Sequence, residues 1–153
     1  MRLILVRHGE TDHNRGGVTL GRADVPLNDR GRAQARAVAA SFTRPPAAIY
    51  ASSLIRAHDT ATAIGAATGV AVAIEQDLIE LDVGEMEHLT GAELRERYPD
   101  FLRLWLSGAA DARMPGDAGD ARMPGGETLR EVQTRAWAAL ERMRAEHADA
   151  EIA

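Results

Sequence analysis

The chain begins with an apolar run, Leu3-Ile4-Leu5-Val6, that stops abruptly at Arg7-His8-Gly9-Glu10-Thr11. Four consecutive apolar residues bounded by polar ones fit a strand buried on both faces. In open α/β sheets, ligands collect beyond the carboxyl ends of the strands. His8 would stand at such an end, with a cation before it and a glycine after it. Gly9 would let the backbone turn sharply beside a ligand. A strand tip of this composition suits the holding of a phosphate and nucleophilic attack on it.

The remaining pattern alternates strand and helix. Asn28 can cap a helix running to about Ser41, with Ala33, Ala37 and Val38 on its apolar side. Residues 9–25, rich in Gly, Asp, Asn and Arg, read as a long loop. A second strand is expected over Ala47–Ala51, a cap at Ser52-Ser53, and a helix through Arg56 to Thr68 that stops at Gly69. A third strand follows over Val70–Ile74. Two capping boxes come next: Thr90 with Glu93 opens a short helix, and Thr128 with Glu131 opens a long one. In the long helix Leu129, Val132, Ala136, Leu140 and Met143 recur at helical spacing. Strands separated by helices predict an α/β fold, with a mostly parallel sheet flanked by helices. At 153 residues the chain reads as one domain.

Charge and composition exclude several classes. A net charge of −5 argues against a general nucleic-acid surface. No cysteine is present, which removes disulfides, thiolate metal sites and cysteine nucleophiles and fits a reducing compartment. The opening apolar run is too short for a signal peptide or a membrane span, so a cytoplasmic protein is expected. One segment is repeated: DARMPG at 111–116 returns at 120–125. It reads as a slipped duplication that lengthens a surface loop, with a lengthened lid as the sharper alternative.

Four segments carry the chemistry. Arg7-His8-Gly9-Glu10-Thr11 supplies an imidazole that can attack phosphorus if its neutral tautomer is held correctly, and an arginine fork for the equatorial oxygens. Asn14 follows six residues later, and Gly21-Arg22 leads into Asp24, Pro26-Leu27 and Gly31. Ile49-Tyr50-Ala51-Ser52-Ser53-Leu54-Ile55-Arg56-Ala57, then Thr60-Ala61, is a strand, two small polar residues and an arginine in the first turn of a helix. Leu78-Ile79-Glu80-Leu81-Asp82-Val83-Gly84-Glu85-Met86-Glu87 carries several carboxylates. Of these, Glu80 stands among Leu78, Ile79 and Leu81. Glu85 and Glu87 read as solvated loop carboxylates. Pro124-Gly125-Gly126-Glu127-Thr128 reads as a turn and cap.

Together these segments resemble the histidine phosphatase superfamily, which includes the phosphoglycerate mutases and their phosphatase relatives. The resemblance implies a phosphoglycerate mutase-like three-layer sandwich and a phosphatase acting on a small phosphorylated metabolite through a phosphohistidine. It makes His8 the nucleophile. Arg7, Arg56 and Asn14 bind the phosphoryl group, the Gly21 backbone contacts substrate, and Glu80 is first acid and then base. No metal or organic cofactor is implied. His8, Asp12 and His13 alone do not complete a metal site, and His58 and His147 read as helical surface residues. The short segment between Glu80 and the last helix favours phosphatase over cofactor-dependent mutase. The rival from another class is a non-catalytic phosphate-binding module. His13 and Met86 stand where the family often has tryptophan, and His88 where it often has glycine, so these departures bear on substrate choice.

The family also runs on from its last helix into a strand that ends in a second phosphate-binding histidine. Ala150–Ala153 is where that strand would begin, and 1–153 is read as a domain lacking the strand and that histidine. Without the strand, the first strand would keep an unpaired edge, which leaves a homodimer open. The 153-residue chain by itself is expected to turn over weakly or not at all.

Overall fold

The computed structural model describes residues 1–106 and 121–153. In chain order the elements are β1 (Arg2–Leu3), α1 (Asp12–Gly16), α2 (Asp29–Ala40), β2 (Ile49–Ala51), α3 (Ile55–Thr68), β3 (Val72–Ile74), α4 (Gly91–Arg97), α5 (Pro99–Leu104), α6 (Leu129–Glu146) and β4 (Glu151–Ile152). They fall into two compact units. The first comprises Met1–Asp12, Asp24–Ile79 and Ala138–Ala153; the second comprises His13–Ala23 and Glu80–Trp137.

The first unit holds the strands, and every strand pair in it is parallel, as the alternating pattern predicts. β1 pairs with β4 in the register Arg2 to Glu151 and Leu3 to Ile152. β2 pairs with β3 in the register Ile49 to Val72 and Ala51 to Ile74. A parallel bridge between Ala48 and Ile152 joins the two pairs. The Ala153 amide donates to the Ala48 carbonyl at 3.1 Å, and the Tyr50 amide to the Ala153 carbonyl at 2.8 Å. The resulting order is β1-β4-β2-β3. Residues 151–152 therefore do start a strand, and β1 has it as a neighbour.

β1 is shorter than its hydropathy suggests. The apolar run extends to Val6, but the ladder covers Arg2–Leu3, with one further bond from the Ile4 amide to the Ile152 carbonyl. Leu5 is 83% exposed, while Val6 packs on the cluster of Ala39, Ile49, Ala51, Ala61 and Ile64. Hydropathy marks residues that suit a strand; the ladder extends only where a partner strand lies opposite. β2 and β3 are likewise shorter at their starts than Ala47–Ala51 and Val70–Ile74.

Two helix details differ from the sequence reading. The buried face of α2 is Gly31, Ala35 and Ala39; Ala33 and Ala37 are exposed. With alanines at 33, 35, 37, 39 and 40, composition fits more than one face, and the close packing of Gly31 selects this one. At the start of α3, Ser52-Ser53 is not the cap. Leu54 occupies the cap position with no side-chain bond, and the Ile55 amide donates to Asp24 Oδ1 at 2.7 Å. A residue 31 positions away caps the helix, which local sequence cannot reveal. The stop at Gly69 and the Asn28 cap of α2, whose Oδ1 accepts from the Gly31 amide, are as expected. The loop over 9–25 contains α1, whose Asn and Gly are weak helix formers.

The second unit packs Val83, Met86 and Met123 with Leu81, Leu94, Tyr98, Phe101 and Trp105. Both capping boxes form: Thr90 with Glu93, and Thr128 with Glu131, where each backbone amide donates to the other residue's side chain at 2.8 and 3.1 Å. The first DARMPG copy, and with it the lid reading, lies outside the described residues. Of the second copy, Met123 is 3% exposed within this core and Arg122 pairs with Glu131, so that copy is part of the packing. Among the described residues no helix is long and apolar enough to cross a membrane.

Candidate active site

In the first unit, His8 follows β1 and is half-buried; Arg7 before it is exposed. His8 Nδ1 lies 2.7 Å from the Gly9 carbonyl oxygen. A carbonyl only accepts, so Nδ1 carries the proton and the lone pair of the neutral ring is on Nε2. The Gly9 amide donates to Thr60 Oγ1 at 3.1 Å, and that hydroxyl donates to the Arg56 carbonyl at 2.8 Å. One threonine hydroxyl thus links the His8 loop to the first turns of α3. Arg56 is 2% exposed, a burial that a guanidinium tolerates only when partnered. The structure therefore brings His8, Gly9 and Arg56 into one hydrogen-bonded frame.

Gly9 serves a purpose other than a sharp turn. A Cβ there would meet the Gly31 carbonyl oxygen at 2.3 Å, and a Cβ on Gly31 would meet the Glu10 carbonyl oxygen at 2.1 Å. Two glycines let the His8 loop lie directly on α2. The same loop is held by Asn28, whose Nδ2 donates to Glu10 Oε1 at 2.9 Å and to Asp12 Oδ1 at 3.3 Å. The Glu10 amide donates to Gln34 Oε1 at 2.8 Å. Gly-to-Ala in a helix ordinarily stabilises by about 0.5–1 kcal/mol. Gly31→Ala is expected to do the reverse, destabilising by about 1–3 kcal/mol, because backbone must move to admit the methyl. Urea unfolding of the two proteins checks the sign.

The second unit contains Asn14, Gly21 and Glu80. Asn14 is exposed on α1. Gly21 is buried, and its amide donates to Glu87 Oε1 at 2.7 Å while the Ala23 amide donates to Glu87 Oε2 at 3.1 Å. This corrects one sequence reading: Glu87 is a bidentate acceptor rather than a solvated side chain. A Cβ on Gly21 would also meet the Leu81 carbonyl oxygen at 2.7 Å.

Glu80 is exposed, so Leu78, Ile79 and Leu81 do not enclose it. Its Oε1 accepts from the Leu81 amide at 2.8 Å. Its carbonyl oxygen is held from two sides, by Arg22 Nε at 3.3 Å and by Arg135 Nη2 at 3.1 Å. Both guanidiniums also grip Glu127: Arg22 Nη2 at 2.7 Å from Oε1, and Arg135 Nη2 at 3.0 Å from Oε2. The Asp82 amide adds a third bond to Glu127 Oε2, at 3.0 Å. Reading the sequence missed this cluster. In sequence Glu127 reads as part of a turn, and Arg135 lies 55 residues from the carbonyl it binds, with no local signal to join them.

Burial pushes the Glu127 carboxyl up, but Arg135, the Asp82 amide and Arg22 outweigh it and hold it below its ordinary value of 4.5. A lowered folded-state value means that the ionised cluster stabilises fully above the unfolded value, and that this is lost as pH falls through the folded one. Glu127→Gln is expected to cost about 1.5–3 kcal/mol at pH 7. The deficit should narrow as pH falls below the ordinary value of 4.5. Unfolding curves of both proteins at several pH values measure it; a deficit independent of pH would contradict this account.

Among the described residues no three or more His, Cys, Asp or Glu side chains gather as a metal site. A family model described as the histidine phosphatase superfamily (branch 1) matches residues 3–153. The chain is 34% identical over 148 residues to phosphoglycerate mutase-like protein 4 of Arabidopsis thaliana, covering 95% of this chain and 61% of that one. It is 33% identical over 148 residues to phosphoserine phosphatase 1 of Hydrogenobacter thermophilus, covering 96% and 66%. The solved native structure of a mycobacterial glucosyl-3-phosphoglycerate phosphatase is similar with a TM-score of 0.76 and 33% identity, over 91% of this chain and 61% of that one. The chain thus spans about three fifths of the length of these relatives.

Proposed function

This chain belongs to the histidine phosphatase superfamily, branch 1, and from that premise we propose that it hydrolyses a small phosphomonoester through a phosphohistidine at His8. The observation that carries the reading is the 2.7 Å contact of His8 Nδ1 with the Gly9 carbonyl. It fixes the tautomer whose Nε2 lone pair can attack phosphorus without first losing a proton. In the first step the Nε2–P bond forms and the P–O ester bond breaks, and Glu80 gives its proton to the departing alkoxide. In the second step a water gives its proton to Glu80 and attacks phosphorus. The P–N bond breaks, and inorganic phosphate leaves.

Arg7 and Arg56 are the cations for the equatorial oxygens, and Asn14 is a neutral donor. The roles of Asn14 and Glu80 rest on their motif positions, and that of Arg56 also on its burial beside the Thr60 link. The net charge of −5 and the absence of cysteine suit a cytoplasmic protein with no nucleic-acid partner. A mutase-type transfer to a second hydroxyl is the alternative that similarity to the Arabidopsis phosphoglycerate mutase-like protein favours.

Incubation with a phosphomonoester labelled on phosphorus, quenched in denaturant at alkaline pH to preserve the P–N bond, tests the proposal. Protein-bound label with release of inorganic phosphate supports it. Label with a rearranged phosphoester product supports the mutase. Saturable phosphate binding with no label identifies a binding module and overturns it.

A further inference from the structure

The second unit contains a pair of imidazoles that the proposed chemistry does not use. His13 Nε2 and His88 Nδ1 are 3.2 Å apart, and the two ring centroids 5.2 Å. The residues are separated by 75 positions in sequence, so only folding brings them together.

The backbone under this pair is closely held. His88 has φ +66, a left-handed conformation for a residue with a Cβ and the only such non-glycine residue among those described. Its amide donates to the Thr19 carbonyl at 3.0 Å, and the Thr19 amide donates to the Leu89 carbonyl at 2.9 Å. The Val18 amide donates to the His13 carbonyl at 3.0 Å, and Val18 bridges antiparallel to Thr90. Both rings therefore hang from one short frame, residues 18–19 against 88–90. That frame maintains a strained residue, a feature that clusters at ligand sites.

We propose that His13 Nε2 and His88 Nδ1 form a two-nitrogen site for one borderline transition-metal ion, of the Cu(II), Ni(II) or Zn(II) class. Two imidazole nitrogens at 2.0–2.1 Å from a tetrahedral ion stand about 3.3–3.4 Å apart. The two nitrogens share a hydrogen bond at 3.2 Å, close to that value, and the ion would take the place of the shared proton. His88 is exposed and His13 half-buried, so solvent reaches the pair and water would complete the coordination. Neutral nitrogen donors without a carboxylate favour these ions over Mg(II) or Ca(II).

The test uses the full chain freed of metal by a chelator and then titrated with Cu(II), the ion that binds tightest in this series. Wild type is expected to take one ion per chain, with nitrogen hyperfine structure from two equivalent ligands in its electron paramagnetic resonance spectrum. His13→Ala and His88→Gly should each weaken binding about tenfold or more. His88→Gly should also raise the metal-free Tm by about 2–4 °C, since glycine relieves the left-handed strain. His8→Ala, His58→Ala and His147→Ala are the controls and should bind as wild type does. Unchanged affinity in both His13→Ala and His88→Gly, or loss confined to a control variant, overturns the site.

Discussion

Replacing His8 with alanine is expected to reduce protein-bound phosphoryl label to background and any turnover by roughly 10^4-fold or more, the scale of losing a nucleophile that acts as a unit with its partners. His8 Nδ1 is committed to the Gly9 carbonyl, so Nε2 is the atom that can accept phosphorus. The backbone beside His8 is held by its neighbours. Gly9 holds Thr60 through its amide, and Glu10 holds Gln34 and Asn28 through its amide and side chain. The variant should therefore retain the wild-type far-ultraviolet spectrum and saturable inorganic phosphate binding through Arg7 and Arg56. Label that persists in His8→Ala would place the covalent step on another residue and end the phosphohistidine reading. Glu80→Gln separates the steps further. A protonated donor is needed for a poor leaving group and hardly for an activated one, so its loss of rate should be far smaller with an aryl phosphate than with an alkyl phosphate.

The largest effect on stability is expected from Gly84→Ala, about 2–5 kcal/mol. Two costs combine. Gly84 has φ +54, a conformation that costs a residue with a Cβ about 1–2 kcal/mol. In addition, the new Cβ would lie 2.1 Å from the Pro124 carbonyl oxygen, 2.5 Å from the Gly125 carbonyl carbon and 2.6 Å from the Gly126 amide nitrogen. These are backbone atoms, and no rotamer change removes the overlap. The displaced segment is the one where the Glu85 amide donates to the Pro124 carbonyl and the Glu127 amide to the Asp82 carbonyl, at 2.8 and 2.9 Å. The Glu127 clamp on Arg22 and Arg135 should loosen with it, and the Glu80 carbonyl would lose its two-sided hold. Gly17→Ala is the control: φ is +65 there, but a Cβ would meet nothing within 4 Å. Urea midpoints should rank wild type, Gly17→Ala and Gly84→Ala in falling order. Equal losses in the two variants would show that the close approach to Pro124 costs nothing.

The motif residues were legible because their chemistry is local. Arg7-His8-Gly9 follows an apolar run, and Arg56 follows a strand and two serines, so a short window of sequence marks each. The capping boxes at Thr90 and Thr128 were readable for the same reason, since each joins residues three apart. For Gly9 the sequence suggests a turn, because a glycine in sequence does not say whether it serves φ or close packing. Its contact with Gly31 decides the matter. Glu87 is hidden for a related reason: a carboxylate that accepts two amides 64 and 66 residues away resembles any loop glutamate.

The sequence by itself determined the α/β class, the parallel pairing implied by alternating strands and helices, and the local motifs around His8 and Arg56, because hydropathy period, caps and short motifs act over a few residues. Only the tertiary structure decided which nitrogen of His8 holds its proton, which face of α2 is buried, how Arg22, Arg135 and Glu127 hold the Glu80 backbone, and that His13 meets His88. Each of these depends on hydrogen bonds or close contacts between residues far apart in the chain, and their partners exist only once the backbone has folded.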